Sequence, residues 1–257
     1  MTDRIVLMDF TGVYESQKFA GEITPVRLEL RQLTGCSCYC DEEAAQALRR
    51  QIQMLPADGI HFLDSGNYHY MSLLWLEKIK VPFRLILFDN HTDMQPPAFG
   101  GLLSCGGWAA EALEKLPCLK EVILAGPDQE AFDQVDEKLR KRVRFLSREK
   151  MKELSLKEKT DFFETLSDDL PCYLSVDKDI LCPGDASTSW SQGDMRLQEL
   201  KECLRTIFGK QKILGMDVCG ECDPDSCEDS LCNDRANQTL LGLYLAYEAE
   251  ERAEDGK

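Results

Sequence analysis

Residues 85–93 read LILFDNHTD, and the interpretation of the whole chain starts from this stretch. Its apolar half, residues 85–88, predicts a strand that is buried on both faces of a parallel sheet. Asp89, His91 and Asp93 follow in a D-x-H-x-D pattern, and alternation along an extended backbone turns their side chains toward one side. Carboxylates mixed with imidazole suit manganese, iron or zinc better than magnesium or calcium.

The same pattern of an apolar run followed by a helical segment recurs along the chain. Amphipathic segments are predicted after Asp41 and at about residues 106–116, 128–141, 149–168, 195–208 and 234–252. Alternating strands and helices predict an α/β fold, a single-domain three-layer sandwich over residues 1–257 with a mostly parallel sheet of seven to eight strands. The six further strands are predicted at residues 5–8, 60–63, 122–124, 143–146, 173–176 and 213–216.

Aspartates follow five of these apolar runs. Ligands of open α/β sheets bind beyond the carboxyl ends of the strands, so several carboxylates are expected to converge there. Without cations they would repel one another, and a bound metal removes that problem. Asp177 and Asp179 form a second acidic pair, and His69 follows another strand, whereas His61 lies inside an apolar run and is predicted to be a core residue. The five strand-end residues are Asp9, Asp64, Asp89, Asp177 and Asp217.

Composition limits the class of partner. The 257 residues carry a formal net charge of −16 at pH 7, which argues against nucleic acid and is compatible with a cationic substrate. No apolar stretch approaches the ~20 residues that cross a bilayer, and the N-terminus does not resemble a signal peptide. We therefore expect a cytoplasmic protein that does not bind membranes.

Twelve cysteines are too few for a disulfide scaffold, so reduced thiols are expected. Three of them lie in GCSCYC, residues 35–40. Four more lie in a segment rich in cysteine and acid, residues 219–233, which is expected to be a loop. That loop contains one C-x-x-C pair, and both a structural metal and free thiols remain open for it.

Four motifs resemble those of the arginase and agmatinase (ureohydrolase) superfamily. DNHTD, residues 89–93, resembles its DAHxD motif, and SVDKDILCP, residues 175–183, resembles SxDxDxxDP. SGNYHY, residues 65–70, stands where that family has GGDHS, and GMDVCGECDP, residues 215–224, resembles G-x-D-x-x-E-x-x-P. The resemblance covers most of the chain and implies one α/β domain with a parallel eight-stranded sheet and a two-manganese centre at the strand ends.

The resemblance also implies how the ligands divide between two Mn²⁺ ions per chain. Asp89 and Asp177 would bridge the ions, and the four carboxylates would balance the charge of two divalent cations. Asp93 would in addition accept the proton of the attacking water. The ligands implied are His69, Asp89, Asp93 and Asp177 for one ion, and Asp89, His91, Asp177 and Asp179 for the other.

The departures from the family motifs concern the substrate. Tyr68 and Cys182 replace aspartates that are not ligands. SCGGW, residues 104–108, stands where arginases carry SGNLHG, so Trp108 takes the place of the histidine that relays protons. Glu221 matches the family's guanidinium-binding glutamate only with a one-residue insertion; without it Gly220 takes that place. The residues that recognise a free amino acid are not reproduced.

These observations favour a manganese-dependent hydrolase of a guanidino or amidino C–N bond. The expected substrate is a small cation or an arginine-containing peptide, held by paired hydrogen bonds to Glu221. Trp108 would either stack on the guanidinium or belong to the core. One alternative is another amide hydrolase on the same fold, although related deacetylases read D-x-D-x-H. Another is a non-catalytic metal-binding or interaction protein. A homo-oligomer is compatible with either.

Overall fold

Ten strands are present in the computed structural model, which describes residues 4–19, 21, 24–96, 100–224 and 230–255. Eight of them form one sheet in which every pairing is parallel. The other two, β3 and β6, pair antiparallel in a separate small sheet. In chain order the strands are β1 (Ile5–Asp9), β2 (Val26–Glu29), β3 (Tyr39–Cys40), β4 (Ile60–Phe62), β5 (Phe83–Phe88), β6 (Leu103–Ser104), β7 (Leu119–Ala125), β8 (Val143–Leu146), β9 (Cys172–Asp177) and β10 (Ile213–Cys219).

The order of the large sheet is β2-β1-β4-β10-β9-β5-β7-β8. The last two strands of the chain, β9 and β10, are therefore inserted between β4 and β5. Because all strands are parallel, their carboxyl ends lie along one edge of the sheet. The register pairs Phe88 of β5 with Val176 of β9, and Cys219 of β10 with Asp177 of β9.

Nine α-helices connect the strands within the described residues. Local capping explains several of their ends: the Asp41 side chain accepts from the Ala44 amide at 2.8 Å and starts α1. The segment predicted as one helix over 149–168 is two, because Leu154 is extended and Ser155 begins a new helix with a capping box. The helices are α1 (Glu42–Ile52), α2 (Met71–Leu76), α3 (Trp108–Lys115), α4 (Gln129–Asp133), α5 (Glu137–Arg140), α6 (Arg148–Glu153), α7 (Leu156–Glu164), α8 (Leu197–Phe208) and α9 (Ser230–Asp255).

The core lies in two layers, one on each face of the sheet. Ile5 and Leu7 of β1 pack with residues of α6 to α9, whereas Val6 and Met8 pack with residues of α1 to α5. Alternate side chains of a strand thus reach opposite helix layers, as a strand buried on both faces requires. The α/β three-layer sandwich predicted from the sequence is confirmed. His61 is also a core residue, stacked on Trp75 with ring centroids 3.7 Å apart.

All seven predicted strands are present, and the eighth is β2, which the apolar pattern did not predict. It lies at the edge of the sheet, and its residues alternate between half-buried and exposed. Two of its four residues are charged, and Arg27 pairs with Asp9 of the neighbouring strand. An edge strand with one solvent-exposed face and charged residues has no continuous apolar run, so the apolar pattern does not reveal it.

Two other expectations concern the C-terminal part. The segment 219–233 is not one loop: Cys219 ends β10, and residues 230–233 already belong to α9. Residues 225–229, which include Cys227, lie outside the described residues. Among the described helices, none combines the length and apolar character that crossing a bilayer requires.

Candidate metal centre

All six predicted ligands lie together at the carboxyl edge of the sheet. Because Phe88 pairs with Val176, the residues that follow these positions, Asp89 and Asp177, stand side by side on neighbouring strands. The 3₁₀ turn Gly66–Tyr68 brings His69 to the same place. Five of the ligand side chains are almost fully buried, and only His91, whose side chain is 30% exposed, reaches solvent.

One group of ligands surrounds His69. Its Nδ1 atom lies 2.9 Å from Asp93 Oδ2, 3.2 Å from Asp89 Oδ2 and 3.5 Å from Asp177 Oδ2. Ligands bound at right angles to a metal at ~2.0–2.2 Å are about 3 Å apart. The three oxygens therefore lie at distances from Nδ1 that suit neighbouring ligands of an ion, and the donor atoms of His69, Asp89 and Asp93 all lie within 4.8 Å of one another.

A second group surrounds His91. Its Nδ1 atom lies 2.8 Å from Asp179 Oδ2 and 3.5 Å from Asp89 Oδ1. The two oxygens of Asp89 therefore face different groups, which is the arrangement of a bridging carboxylate. Asp177 turns only Oδ2 toward the first group, because its Oδ1 accepts from the Asp179 amide at 2.8 Å.

The outer nitrogens of both histidines are held by serine hydroxyls. His69 Nε2 lies 2.9 Å from Ser175 Oγ, which itself donates to Asp217 Oδ1 at 2.6 Å. His91 Nε2 lies 2.8 Å from Ser191 Oγ. A serine that donates to a carboxylate accepts from Nε2–H, and this tautomer leaves Nδ1 of His69 free to bind a metal.

The protonation states of the proposed ligands reflect the closeness of several buried carboxyl groups. Burial and the charge of Asp89 raise the pKa of Asp93 to about 6, and burial and the charges of Asp177 and Asp89 raise the pKa of Asp179 well above its usual value. Burial opposes the charged form of His91, yet hydrogen bonds to Asp179 and Asp89 raise its pKa to about 11. Protons and imidazolium groups thus compensate the carboxylate charges, as metal cations would.

The residues present fit two divalent cations. Within the part of the chain described, the buried Asp89 Oδ2 atom makes no hydrogen bond. A buried carboxylate oxygen without a donor is costly unless a cation compensates it. Two glycines leave room around Asp177, since a Cβ at Gly66 would lie 3.1 Å from Oδ2 and one at Gly220 2.2 Å from Oδ1.

The other three strand-end aspartates do not join this cluster. Asp9 is paired with Arg27 and Arg31 near the edge of the sheet. Asp64 accepts from the amides of residues 10, 11 and 65 and so fixes the loop after β1. Asp217 accepts from Ser175 behind His69. Of the strand-end aspartates, several of which were expected to converge, Asp89 and Asp177 belong to the cluster, because the other three each have a local partner.

Trp108 lies in the core and not on a pocket wall. Its side chain is fully buried, and Nε1 donates to Asp93 Oδ2 at 2.5 Å. Asp93 has a left-handed φ of 50°, an uncommon backbone for a residue other than glycine. Of the two roles weighed for Trp108, the structure supports the core role, in which the indole orients a predicted ligand.

Glu221 is also buried, and both of its oxygens are already bonded. Oε1 is paired with Lys178 and accepts from Asn237 at 2.6 Å. Oε2 accepts from Asn233 and Gln17, each at 2.9 Å. This placement corrects the expectation of a glutamate that holds a substrate cation, since Lys178 of the protein itself is the cation that Glu221 binds.

A cavity of about 240 Å³ opens onto the ligand cluster. Its wall includes the proposed ligands His69, His91 and Asp93. Sequence reasoning missed Trp190, whose half-exposed ring stands edge-on to His91 with centroids 5.7 Å apart. In the sequence Trp190 stands between two serines and belongs to no motif, so the sequence pattern does not predict its place in the cavity. The described residues on the remaining wall are Cys38, Tyr39, Gly66, Gln95, Pro96, Ser104, Cys105, Gly106, Asp177, Asp179 and Trp190.

Comparison with known sequences finds two similarities over most of the chain. The sequence model of the arginase family matches residues 32–249. A Thermotoga maritima protein described as uncharacterized is 33% identical over 242 residues, which are 94% of this chain and 89% of that protein.

Solved structures share the fold at low sequence identity. Formimidoylglutamase from Bacillus subtilis superposes with a TM-score of 0.69 at 15% identity, over 93% of this chain and 85% of that one. Agmatine ureohydrolase from Thermoplasma volcanium superposes with a TM-score of 0.66 at 15% identity, over 97% of this chain and 93% of that one. These likenesses establish the architecture of the chain.

The division of the ligands predicts distinct metal losses. The resemblance to the arginase family implies that both Asp89 and Asp177 bridge, Asp177 through Oδ2 alone. Asp89→Ala and Asp177→Ala should therefore each abolish binding of both ions, whereas Asp179→Ala should lose one. Plasma emission spectrometry on manganese-loaded variants gives the metal count. Asp194→Ala, which removes an exposed carboxylate paired with Lys152, is the control and should keep both ions. Loss of a single ion in all three ligand variants would contradict the bridging assignment.

Metal affinity should rise with pH. Without metal, His91 with its pKa of about 11 is protonated at neutral pH, and Asp93 with its pKa of about 6 becomes protonated toward pH 5, so a metal must displace protons from the site. Mn²⁺ should bind more tightly at about pH 8 than at about pH 5, with release of protons. Calorimetry in two buffers of different ionisation enthalpy measures both quantities. An affinity independent of pH would show that these groups do not bind the metal.

The buried Lys178–Glu221 pair should be a determinant of stability. Lys178→Met leaves the carboxylate of Glu221 buried without its cation, which typically costs about 3–5 kcal/mol. Adding Glu221→Gln should recover part of the loss, because the amide removes the charge. Urea unfolding measures all variants. Lys157→Met, which breaks the exposed pair with Asp161, is the control and should cost less than about 1 kcal/mol. Equal losses in Lys178→Met and the double variant would exclude an electrostatic cause.

Proposed function

Since this chain belongs to the arginase family, whose members are metal-dependent hydrolases of C–N bonds other than peptide bonds, we propose that it hydrolyses a guanidino or amidino group on a carrier without free α-amino and α-carboxylate groups. Such a carrier is a simple alkyl guanidine or an arginine side chain within a peptide. The proposal combines the metal centre, which supports hydrolysis, with the lining of the cavity, which supports this class of substrate.

The observation that carries the substrate class is the lack of charge on the cavity wall. Apart from the proposed metal ligands, the described residues that line the cavity are uncharged. The α-carboxylate of a free amino acid would lose water there without meeting a cation, which is costly. Tyr39, Gln95 and Ser104 offer hydroxyl and amide groups, which suit a neutral carrier such as a peptide backbone.

Trp190 supports a planar cationic group in the cavity. Its indole is 39% exposed, and Nε1 donates to Asn67 Oδ1 at 2.9 Å, which fixes the orientation of the ring. A guanidinium stacked on an indole gains about 0.5–2 kcal/mol, depending on how far it is desolvated. We therefore propose Trp190, in place of Trp108, as the aromatic partner of the substrate.

The protein's own residues would position the reaction and move the proton. Two divalent ions, Mn²⁺ by resemblance to the family, would be held by the six ligands and would make a bound water acidic enough to react near neutral pH. Asp93 would take the proton of the attacking water and pass it to the leaving amine. Trp108 holds that carboxylate in place.

The setting of the enzyme follows from composition. We propose a cytoplasmic enzyme without nucleic-acid partners, in agreement with the net charge of −16 and with thiols that a reducing compartment preserves. A homo-oligomer is compatible with this proposal.

A substrate panel tests the proposal. We expect the manganese-loaded protein to release urea from agmatine, guanidinobutyrate or an arginine-containing peptide with a higher kcat/KM than from free L-arginine. The comparison uses kcat/KM because uniform binding of an α-carboxylate lowers KM and leaves kcat unchanged, so kcat alone would not reveal it. Trp190→Ala should lower kcat/KM for the best substrate by about 2–30-fold, whereas Trp190→Phe keeps a ring and should lower it less.

The outcomes separate the alternatives. A clear preference for free arginine would show that the cavity recognises α-groups after all. Release of acetate from acetylated amines without urea would favour another amide hydrolase. No turnover of any compound with two ions bound would favour a non-catalytic metal-binding protein.

A further inference from the structure

Cys219 is a buried thiol directly beside the proposed ligands. It is the last residue of β10, and the register pairs it with Asp177 on β9. Register partners on parallel strands point to the same face of a sheet, so their side chains are neighbours. Cys219 Sγ lies 3.0 Å from Asp177 Oδ2, and the residue is 1% exposed.

The sulfur belongs to the same cluster of donor atoms as His69. Donor atoms of His69, Asp177 and Cys219 all lie within 4.8 Å of one another. A thiolate bound to a metal at ~2.3 Å and a carboxylate oxygen bound at ~2.0–2.2 Å lie about 3 Å apart when they are at right angles. The distance of 3.0 Å between Sγ and Oδ2 matches that value.

Cys219 packs in the apolar core, but its thiol is turned toward polar groups. A buried cysteine packs as a small apolar side chain, and such side chains normally face apolar neighbours. The thiol of Cys219 donates to Asp177 Oδ2 and lies near the His69 imidazole, and both residues are proposed ligands. Gly220 follows with a φ of 86° and leaves space for Asp177, so the strand end is shaped around this contact.

We propose that Cys219 Sγ is a protein donor to the metal position around His69 and Asp177. The inference rests on the metal centre of the proposed function. When the metal–sulfur bond forms, the thiol releases its proton to the buffer, and nothing is oxidised or reduced. Among the described residues, the donors of the second position, around His91 and Asp179, are nitrogen and oxygen atoms.

A sulfur ligand would make the two metal positions differ in the ions that they prefer. Thiolate ligands favour softer ions such as zinc, whereas oxygen-rich sites suit manganese. The position that contains Cys219 should therefore prefer Zn²⁺ or Co²⁺ over Mn²⁺, and the position around His91 should tolerate Mn²⁺. A chain with one softer and one harder ion is the expected product of a mixed metal supply.

Cobalt substitution tests the inference without measuring activity. The metal-free full chain is loaded with Co²⁺, and the near-ultraviolet spectrum is recorded for a sulfur-to-cobalt charge-transfer band. The wild type should show the band, and Cys219→Ser should lose it while still binding cobalt. Competition between Zn²⁺ and Mn²⁺ should show a zinc preference that falls about 10–100-fold in Cys219→Ser.

A second cysteine provides the matched control. Cys105 is buried and lines the cavity, yet it belongs to none of the groups of donor atoms in the described part of the chain. Cys105→Ser should keep the band. Its loss in that variant, or its persistence in Cys219→Ser, would overturn the assignment of the sulfur to Cys219.

The remaining outcomes separate this inference from the proposed function. Two bound cobalt ions without a charge-transfer band would overturn the sulfur ligand and leave the hydrolase proposal intact. Failure to bind cobalt, zinc and manganese would overturn both, because the metal centre itself would then be absent.

Discussion

The structure depends on one electrostatic constraint, the need to compensate four carboxylates enclosed at the ends of two neighbouring strands. β5 and β9 are adjacent, so Asp89 and Asp177 cannot avoid each other, and Asp93 and Asp179 follow within the same exit loops. Such a cluster is tolerated only with protons, imidazolium groups or metal ions between the oxygens. The burial of the cluster, the serine contacts of both imidazoles and the glycines around Asp177 all serve that compensation.

A buried ion pair, Lys178 with Glu221, lies next to the cluster of carboxylates and makes its own contacts. Lys178 stands in sequence between Asp177 and Asp179, yet its amino group points away to Glu221 and Asn237. This internal pair satisfies a glutamate that would otherwise add a fifth negative charge near the ligands.

The sequence predicts the parts of the molecule that local patterns determine. Strands buried on both faces are continuous apolar runs, and ligands that follow them directly, such as Asp89 and Asp177, can be read from the motif. Partners from distant parts of the chain cannot be read in this way. Glu221 was expected to bind substrate, and Trp108 either to stack on it or to belong to the core. Each has a buried partner, Lys178 and Asp93, fixed only by tertiary packing. Trp190 reaches the cavity for the same reason, without any sequence pattern to mark it.

The small sheet formed by β3 and β6 connects two rims of the cavity. Tyr39 pairs with Ser104, and the Cys105 amide donates to the Cys38 carbonyl at 2.9 Å. These segments are far apart in the sequence, yet neither can shift without breaking hydrogen bonds to the other. The two rims are therefore coupled. When relatives of this protein diverge in substrate, substitutions at 38–40 and at 103–105 are expected to occur together.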